Sequence, residues 1–235
     1  MRDVLAIIPA RGGSKGIPRK NLTLIAGKPL VVHSIEHALA AKCVSRVIVS
    51  TDDPEIAEIA VAAGAEVPFL RPAELAGDQV LDLPVFQHVL ARLSEEEAYS
   101  PDLILHLRPT APLRRAGWID EAVNLLRADP RADSIRSVSS PSQHPYRMFR
   151  IDAEGFLDPL FKHEHPMPYL LRRQDLPEMY FYNCVIDVSR RTTILGKNSM
   201  TGDRILPYLM QPDDVVDIDG PRDLLLARLV MEMQP

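Results

Sequence analysis

Cysteine is scarce in this chain: Cys43 and Cys184 are the only 2 in 235 residues, and neither belongs to a CxxC or Cys/His spacing. That excludes a disulfide scaffold and a structural zinc site, and it points to a reducing compartment. A basic excess is also missing. Lys+Arg at 27 against Asp+Glu at 32 leave a net charge of -5, which argues against a protein whose ligand is a nucleic-acid backbone. Any anionic ligand must instead be met by a few locally placed cations. Long apolar runs are absent too. Val4–Pro9 falls far short of a membrane span and lacks the h-region and cleavage site of a signal peptide, and later runs are no longer. The expectation is a soluble, cytoplasmic protein with neither nucleic acid nor membrane as partner. Glycine is low, 11 against 21 prolines, so many loops are stiff. With 46% hydrophobic and 25% charged residues, a disordered or fibrous chain is excluded.

What is present is an alternation of strand and helix signals. Val4–Pro9, Arg46–Ser50, Glu66–Leu70, Leu103–Leu107 and Ser134–Val138 read as buried strands. Helical spacing follows at Val32, Ile35, Ala38 and Leu39, then at Ile56, Ile59 and Ala60, over Leu83–Leu93, and at Ile119, Ala122, Val123 and Leu126. Thr51-Asp52-Asp53-Pro54 reads as a strand end and helix start, and Gly64 as a C-cap. The pattern implies a mostly parallel sheet with helices on both faces, whose ligand sits beyond the C-terminal strand ends. Between about 140 and 180 the rhythm breaks into a stretch dense in Pro, His, Arg and aromatics, with Glu154-Gly155 as a hairpin tip. It resumes at Phe181–Val188 and closes with a helix over Pro221–Met233. The reading is one domain over 1–235 with an inserted flap at 140–180.

Two constellations carry chemistry. After the first strand, the loop Arg11-Gly12-Gly13-Ser14-Lys15-Gly16 runs on to Arg19, Lys20 and Asn21. Its glycines let backbone approach a ligand, and Arg11, Lys15, Arg19 and Lys20 concentrate cations in an acidic chain. The spacing is neither a Walker A loop nor GxGxxG, so the loop reads either as a triphosphate cradle or as a solvated basic turn. Near the C-terminus stands Asp217-Ile218-Asp219-Gly220-Pro221-Arg222-Asp223. If extended, it places Asp217 and Asp219 on one face and turns Ile218 to the core. The pair suits Mg2+, which binds through one or two carboxylates plus phosphate oxygens. Asp219 before Gly-Pro is equally a helix N-cap, and Asp223 a first-turn acid. His163-Glu164-His165 reads as solvated loop residues rather than as metal ligands, and Trp118 as core. No nucleophile elbow is present, so covalent catalysis has no support.

The basic Gly-rich loop paired with a late Asp-x-Asp resembles the acylneuraminate cytidylyltransferases, the CMP-sialic acid synthetases. Thr51-Asp52, Arg71-Pro72-Ala73-Glu74-Leu75-Ala76, Pro109-Thr110-Ala111-Pro112-Leu113-Arg114 and Arg172-Arg173-Gln174-Asp175 stand in the family's order between those two motifs. The resemblance implies a Rossmann-like, three-layer α/β nucleotidyltransferase fold and a homodimer whose flap reaches the partner's sugar site. It implies transfer of CMP from CTP to a nine-carbon α-keto sugar acid, N-acetylneuraminate or a related nonulosonate, with release of pyrophosphate. Arg11, Gly12, Gly13, Ser14, Lys15, Lys20 and Asn21 then hold the nucleotide, with Arg71, Asp78 and Gln79 near the cytosine. Arg108, Thr110, Arg147, Arg173, Gln174 and Asn183 fall to the sugar, Asp217 and Asp219 to Mg2+, and Arg11, Lys20, Asp217 and Arg173 to catalysis.

Two positions depart from the family pattern. Sialic-acid enzymes carry Gln where this chain has Arg108, and Asn-Gly where it has Asn183-Cys184. Both lie on the sugar side. A Kdo cytidylyltransferase is the nearest rival, but its first loop usually reads Ser-x-Arg-x-Pro-x-Lys. A GT-A glycosyltransferase shares Asp-x-Asp, normally after a mid-chain strand. A non-catalytic nucleotide-binding module explains less of the pattern.

Overall fold

The computed structural model describes residues 3–162 and 164–233. Its strands are β1 (Val4–Pro9), the short pair β2 (Leu24–Ile25) and β3 (Lys28–Pro29), β4 (Arg46–Ser50), β5 (Leu103–His106), β6 (Ser134–Ser139), the pair β7 (Phe149–Ile151) and β8 (Leu157–Pro159), β9 (Phe181–Arg190) and β10 (Ile205–Met210). The helices are α1 (Leu30–Ala40), α2 (Pro54–Ala62), α3 (Asp82–Glu97), α4 (Trp118–Ala128), α5 (Arg191–Gly196) and α6 (Pro221–Met233).

Six strands form the main sheet in the order β10-β6-β9-β5-β1-β4. All neighbours are parallel except β9, which runs antiparallel to both β5 and β6. The period of two along β1 divides the core. Val4, Ala6 and Ile8 pack with Val31, Ile35 and Ala38 of α1, Ile56 and Ala60 of α2, and apolar residues of α4. Leu5 and Ile7 pack on the opposite face against Val85, Phe86, Val89 and Leu90 of α3 and Ile194 of α5. The result is the expected three-layer α/β arrangement. A third cluster joins Ile17, Ile25 and Leu30 to Val216, Ile218 and Ala227. That cluster fastens the Asp217–Asp219 segment beneath the loop after β1.

Local signals are realised closely around α2. The Asp53 carboxylate accepts from the Glu55 and Ile56 N–H groups, and Pro54 opens the helix. Gly64 follows the last turn at φ 94, a conformation that favours glycine. The hairpin tip is also where expected: Gly155 has φ 90, and the Asp152 carboxylate accepts from Glu154 and Phe156 N–H.

Three elements differ from the sequence reading. The strand over Glu66–Leu70 contracts to a single bridge between Glu66 and Ile48, because Pro68 has no N–H to continue a ladder. β10 and α5 were not anticipated. β10 contains Pro207, which argues against a strand from sequence, but it lies at the sheet edge, where one side needs no ladder bonds. β9 carries a bulge: Arg136 faces Asp187, yet Val138 faces Tyr182. The hydroxyl of Ser137 accepts from Val185 and Ile186 N–H there, and Cys184 adopts φ 61.

The 140–180 segment leaves the main sheet and builds the separate β7–β8 pair with several 3-10 turns. It exposes large apolar side chains, among them Ile151 at 74% and Phe156 at 66%.

Candidate active site

The loop after β1 reaches a cavity of about 410 Å3, lined also from the loop before α3, from the end of β5 and by Asp219. The N–H of Gly12 donates to Asp52 Oδ1 at 3.0 Å, and Asn21 Nδ2 donates to the Arg11 carbonyl at 2.9 Å, so both ends of the loop are tied down. Two glycines make room for protein rather than for ligand. A Cβ on Gly12 would stand 2.7 Å from Asp53 Oδ2, and one on Gly16 2.5 Å from the Asp219 carbonyl oxygen. Gly13 faces open space.

The four loop cations divide. Arg11 Nη1 lies 2.9 Å from Asp78 Oδ1, and Lys15 pairs with the other oxygen of the same carboxylate. Those two cations hold the Asp78 carboxyl below its usual range, Lys15 most strongly. Lys20 Nζ donates to the Ile218 carbonyl at 2.8 Å and stands 3.6 Å from Asp219 Oδ1. Arg19 turns away to Asp53 and Glu55 at 3.1 and 2.8 Å, so it serves the start of α2 and not the cavity. Arg71 is buried. Its Nε donates to Ser50 Oγ at 3.0 Å and its Nη2 to the Ser50 carbonyl, while desolvation pushes its pKa down.

The acidic segment is extended with Ile218 fully buried, as the alternation requires. The Ile218 N–H donates to the Thr110 carbonyl at 2.9 Å. The helix start is served by Asp223 rather than by Asp219: Asp223 Oδ2 accepts from Asp219 N–H at 3.1 Å and Gly220 N–H at 2.8 Å. Asp223 closes the start of α6, and the Asp219 carboxylate is left 84% exposed toward Lys20. Asp217 is half-buried and its Oδ1 is sequestered without a hydrogen-bond partner. Burial raises its pKa, the neighbouring Asp219 adds to that, and Thr110, Lys20 and Arg108 oppose it. A buried carboxylate oxygen with no donor is the chemistry expected of a cation ligand. Among the described residues no cluster of three or more His, Cys, Asp or Glu could hold a metal, so phosphate oxygens and water would have to complete the shell. The His163 candidate lies outside the described residues, and Glu164 and His165 are exposed.

At the end of β5, Arg108 is gripped on two sides. Nη1 donates to Asp187 Oδ2 at 2.5 Å and to Tyr182 Oη at 3.0 Å, and Nη2 to Asp82 Oδ2 at 3.0 Å. Burial works against its charge, but Asp187, Tyr182 and Asp82 outweigh it and raise the pKa. Arg114, fully buried and lowered to about 9 by desolvation, donates to the carbonyls of Arg108 and Val185 and to Ser34 Oγ, and so holds the Pro109–Arg114 turn. His106 is buried against Phe86, and that burial holds its pKa far below the usual histidine value.

The cavity thus gathers Arg11, Ser14, Lys15, Lys20, Asn21 and Arg71, with Asp78, Arg108, Thr110 and Asp219. Gly12, Gly13, Gln79 and Asp217 are not among its lining residues; Asp217 is separated from the lining Asp219 by Ile218. The flap candidates stand apart. Arg173 donates to the Pro141 carbonyl at 2.8 Å and, with Gln174, lines a separate surface depression; Arg147 donates to the Leu171 carbonyl at 2.7 Å. Asn183 is buried in the β9 bulge, its Oδ1 accepting from Val185 N–H at 3.3 Å. Asp82, Asp187 and Tyr182 were missed. Asp187 carried a signal, a charged residue inside the apolar run Val185–Val188; Asp82 reads from sequence only as a first-turn acid.

The profile of the cytidylyltransferase family matches residues 5–201. The chain belongs to this family. The matched span ends before Asp217, so the acidic segment rests on the geometry above. The cytidylyltransferase is 34% identical over 231 residues to a CMP-N,N'-diacetyllegionaminic acid synthase of Legionella pneumophila, covering 98% of this chain and 97% of the relative. It is 30% identical over 231 residues to a pseudaminic acid cytidylyltransferase of Campylobacter jejuni, covering 97% and 96%. An N-acylneuraminate cytidylyltransferase of Streptococcus agalactiae is 29% identical over 223 residues; the match takes in 94% of this chain but 51% of that longer protein. Among solved structures, a CMP:2-keto-3-deoxy-manno-octonic acid synthetase complexed with CTP superposes with a TM-score of 0.72 at 20% identity, covering 99% of this chain and 100% of that one. At that identity the likeness speaks for the fold, a nucleotidyltransferase α/β fold. No described helix is long and apolar enough to cross a membrane.

Proposed function

We propose that the enzyme transfers CMP from CTP to the anomeric hydroxyl of an N-acylated nine-carbon α-keto sugar acid, releasing pyrophosphate. One observation carries the reading: the cations of the RGGSK loop and Asp219 of the acidic segment, remote in sequence, meet at one cavity at the strand ends. The bond formed joins the anomeric oxygen to the α-phosphorus, the bond broken releases pyrophosphate, and the hydroxyl loses its proton. Positioning and charge stabilisation are most of the catalysis for such a transfer. Arg11, Lys15 and Lys20 face the phosphate oxygens, with Ser14 and Asn21 beside them, and Arg71 lies toward the base. Asp217 and Asp219 would hold Mg2+. When bound, that ion supplies charge neutralisation on phosphate and lowers the pKa of an oxygen it binds. Arg108 and Thr110 face the acceptor.

The proposal includes a homodimer. Arg147, Arg173 and Gln174 lie off the cavity of their own copy, on a segment with exposed Ile151, Phe156, Leu157 and Leu170. A second copy would cover that apolar surface and receive those side chains at its own sugar site. The reaction belongs in the cytoplasm, where CTP is available.

Pyrophosphate release with CTP and Mg2+ tests the activity, run in parallel with N-acetylneuraminate, legionaminic acid, pseudaminic acid, Kdn and Kdo. Turnover with a nine-carbon acid is expected. Turnover with Kdo alone would transfer the reading to the eight-carbon acid, and absence of CTP binding would refute it.

A further inference from the structure

Asp82 has no part in the proposed reaction. As the first residue of α3 it has an ordinary explanation, since an acid there is favoured by the helix dipole. Its carboxylate nevertheless lines the cavity and holds one edge of Arg108, Oδ2 accepting from Nη2 at 3.0 Å. The opposite edge is held by Asp187 and Tyr182. The two carboxylates differ in access: the Asp187 side chain is 1% exposed and Asp82 40%. Asp187 is a fixed anchor in β9, and Asp82 is the clamp on the cavity side.

This arrangement changes what Arg108 can offer a ligand. An arginine side chain in a cavity explores many rotamers, and ordering it costs up to about 2 kcal/mol. Here the ordering precedes any ligand. Two carboxylates also flank the guanidinium, and Asp187 faces Arg136 Nε at 3.7 Å as well, so the two cations and two carboxylates already balance. What remains for a ligand is directional: the Nε–H and one Nη2 hydrogen. Arg71 also feels the charge of Asp82, but its guanidinium is oriented by Ser50, so its geometry does not depend on Asp82.

We propose that Asp82 is a positioning residue that fixes Arg108 as a directed hydrogen-bond donor to the sugar acid, and so governs the choice of acceptor without touching the nucleotide. The inference rests on the reaction proposed above.

Steady-state kinetics of Asp82→Asn, Arg108→Gln and the double variant test it, using whichever acid the parent enzyme turns over best. Asp82→Asn is expected to raise KM for the acid about tenfold while KM for CTP stays within about twofold. Asp82→Glu is expected to recover part of the loss. In the Arg108→Gln background, Asp82→Asn is expected to add nothing further, because it acts through that side chain. Equal rises in both KM values, unchanged kinetics, or losses that multiply in the double variant would each overturn the inference while leaving the reaction intact. A parent enzyme inactive on every acid would overturn both. Helix loss would instead show as a large fall in melting temperature.

Discussion

Asp217→Asn separates stability from activity. The carboxylate is half-buried, its Oδ1 has no donor, and its pKa lies above the ordinary 3.8 because burial and Asp219 disfavour the charge. A group with a raised folded pKa costs the fold nothing below 3.8 and imposes its full penalty above the folded pKa. A sequestered polar group without a partner costs about 1–3 kcal/mol. An amide retains part of that cost, so the expected gain in metal-free enzyme near neutral pH is about 1 kcal/mol, or about 2–4 °C in Tm for a chain of this size. The advantage is expected to vanish as pH falls below 3.8. With Mg2+ the order reverses. Saturation at about a hundred times Kd stabilises the parent by about 2.7 kcal/mol, and the variant is expected to lose that shift along with about 10²–10³-fold in turnover. Differential scanning calorimetry with EDTA and with Mg2+, across pH, reads all of this. A variant that melts lower in EDTA, or keeps the Mg2+ shift, would refute the assignment of Asp217 as a buried cation ligand.

Asp217→Ala is expected to reduce turnover more completely than Asp219→Ala, because Asp219 is the exposed member of the pair; equal, mild losses in pyrophosphate release would contradict a metal site. Gly16→Ala puts a Cβ 2.5 Å from the Asp219 carbonyl oxygen, so the acidic segment must shift, and kcat is expected to fall about a hundredfold, with Gly196→Ala, whose Cβ meets nothing within 4 Å, as the unaffected control. Cys184→Gly relieves a left-handed residue at φ 61, which costs about 1–2 kcal/mol, less the added unfolded-state freedom of glycine; a rise of about 2 °C in Tm is expected by thermal melt. Asp78→Asn frees Arg11 and Lys15 for anionic ligands, so calorimetric titration is expected to show severalfold tighter CTP binding, weakening with salt; looser binding would mean that Asp78 itself holds the nucleotide.

The Asn-Gly of the family pattern would suit position 184, where the backbone lies in the left-handed region. The β9 bulge forces a positive φ there, and this chain meets it with a cysteine. The departure at Arg108 is likewise accommodated rather than left free: Asp82, Asp187 and Tyr182 surround it. Both changes sit beside the acceptor end of the proposed site and concern how β9 approaches the end of β5.

By itself the sequence determined the layers and the basic loop after the first strand. Those rest on short-range rules: the period of two through Val4–Pro9, the Asp53-Pro54 start and Gly64 stop of α2, and cations clustered within one loop. The Asp217-Ile218-Asp219 alternation was legible for the same reason, since a buried Ile218 constrains its neighbours. Which carboxylate caps α6 was not, because the answer depended on where the Asp223 side chain reaches. The direction of Arg19, the dual grip on Arg108 and the separation of Arg173 from its own cavity were equally hidden. Each joins residues tens of positions apart, and charge pairing across such separations follows from how strands and helices pack, which local pattern does not encode. β10 escaped for a related reason: Pro207 is acceptable only at a sheet edge, and which strand becomes an edge is settled only when the whole sheet assembles.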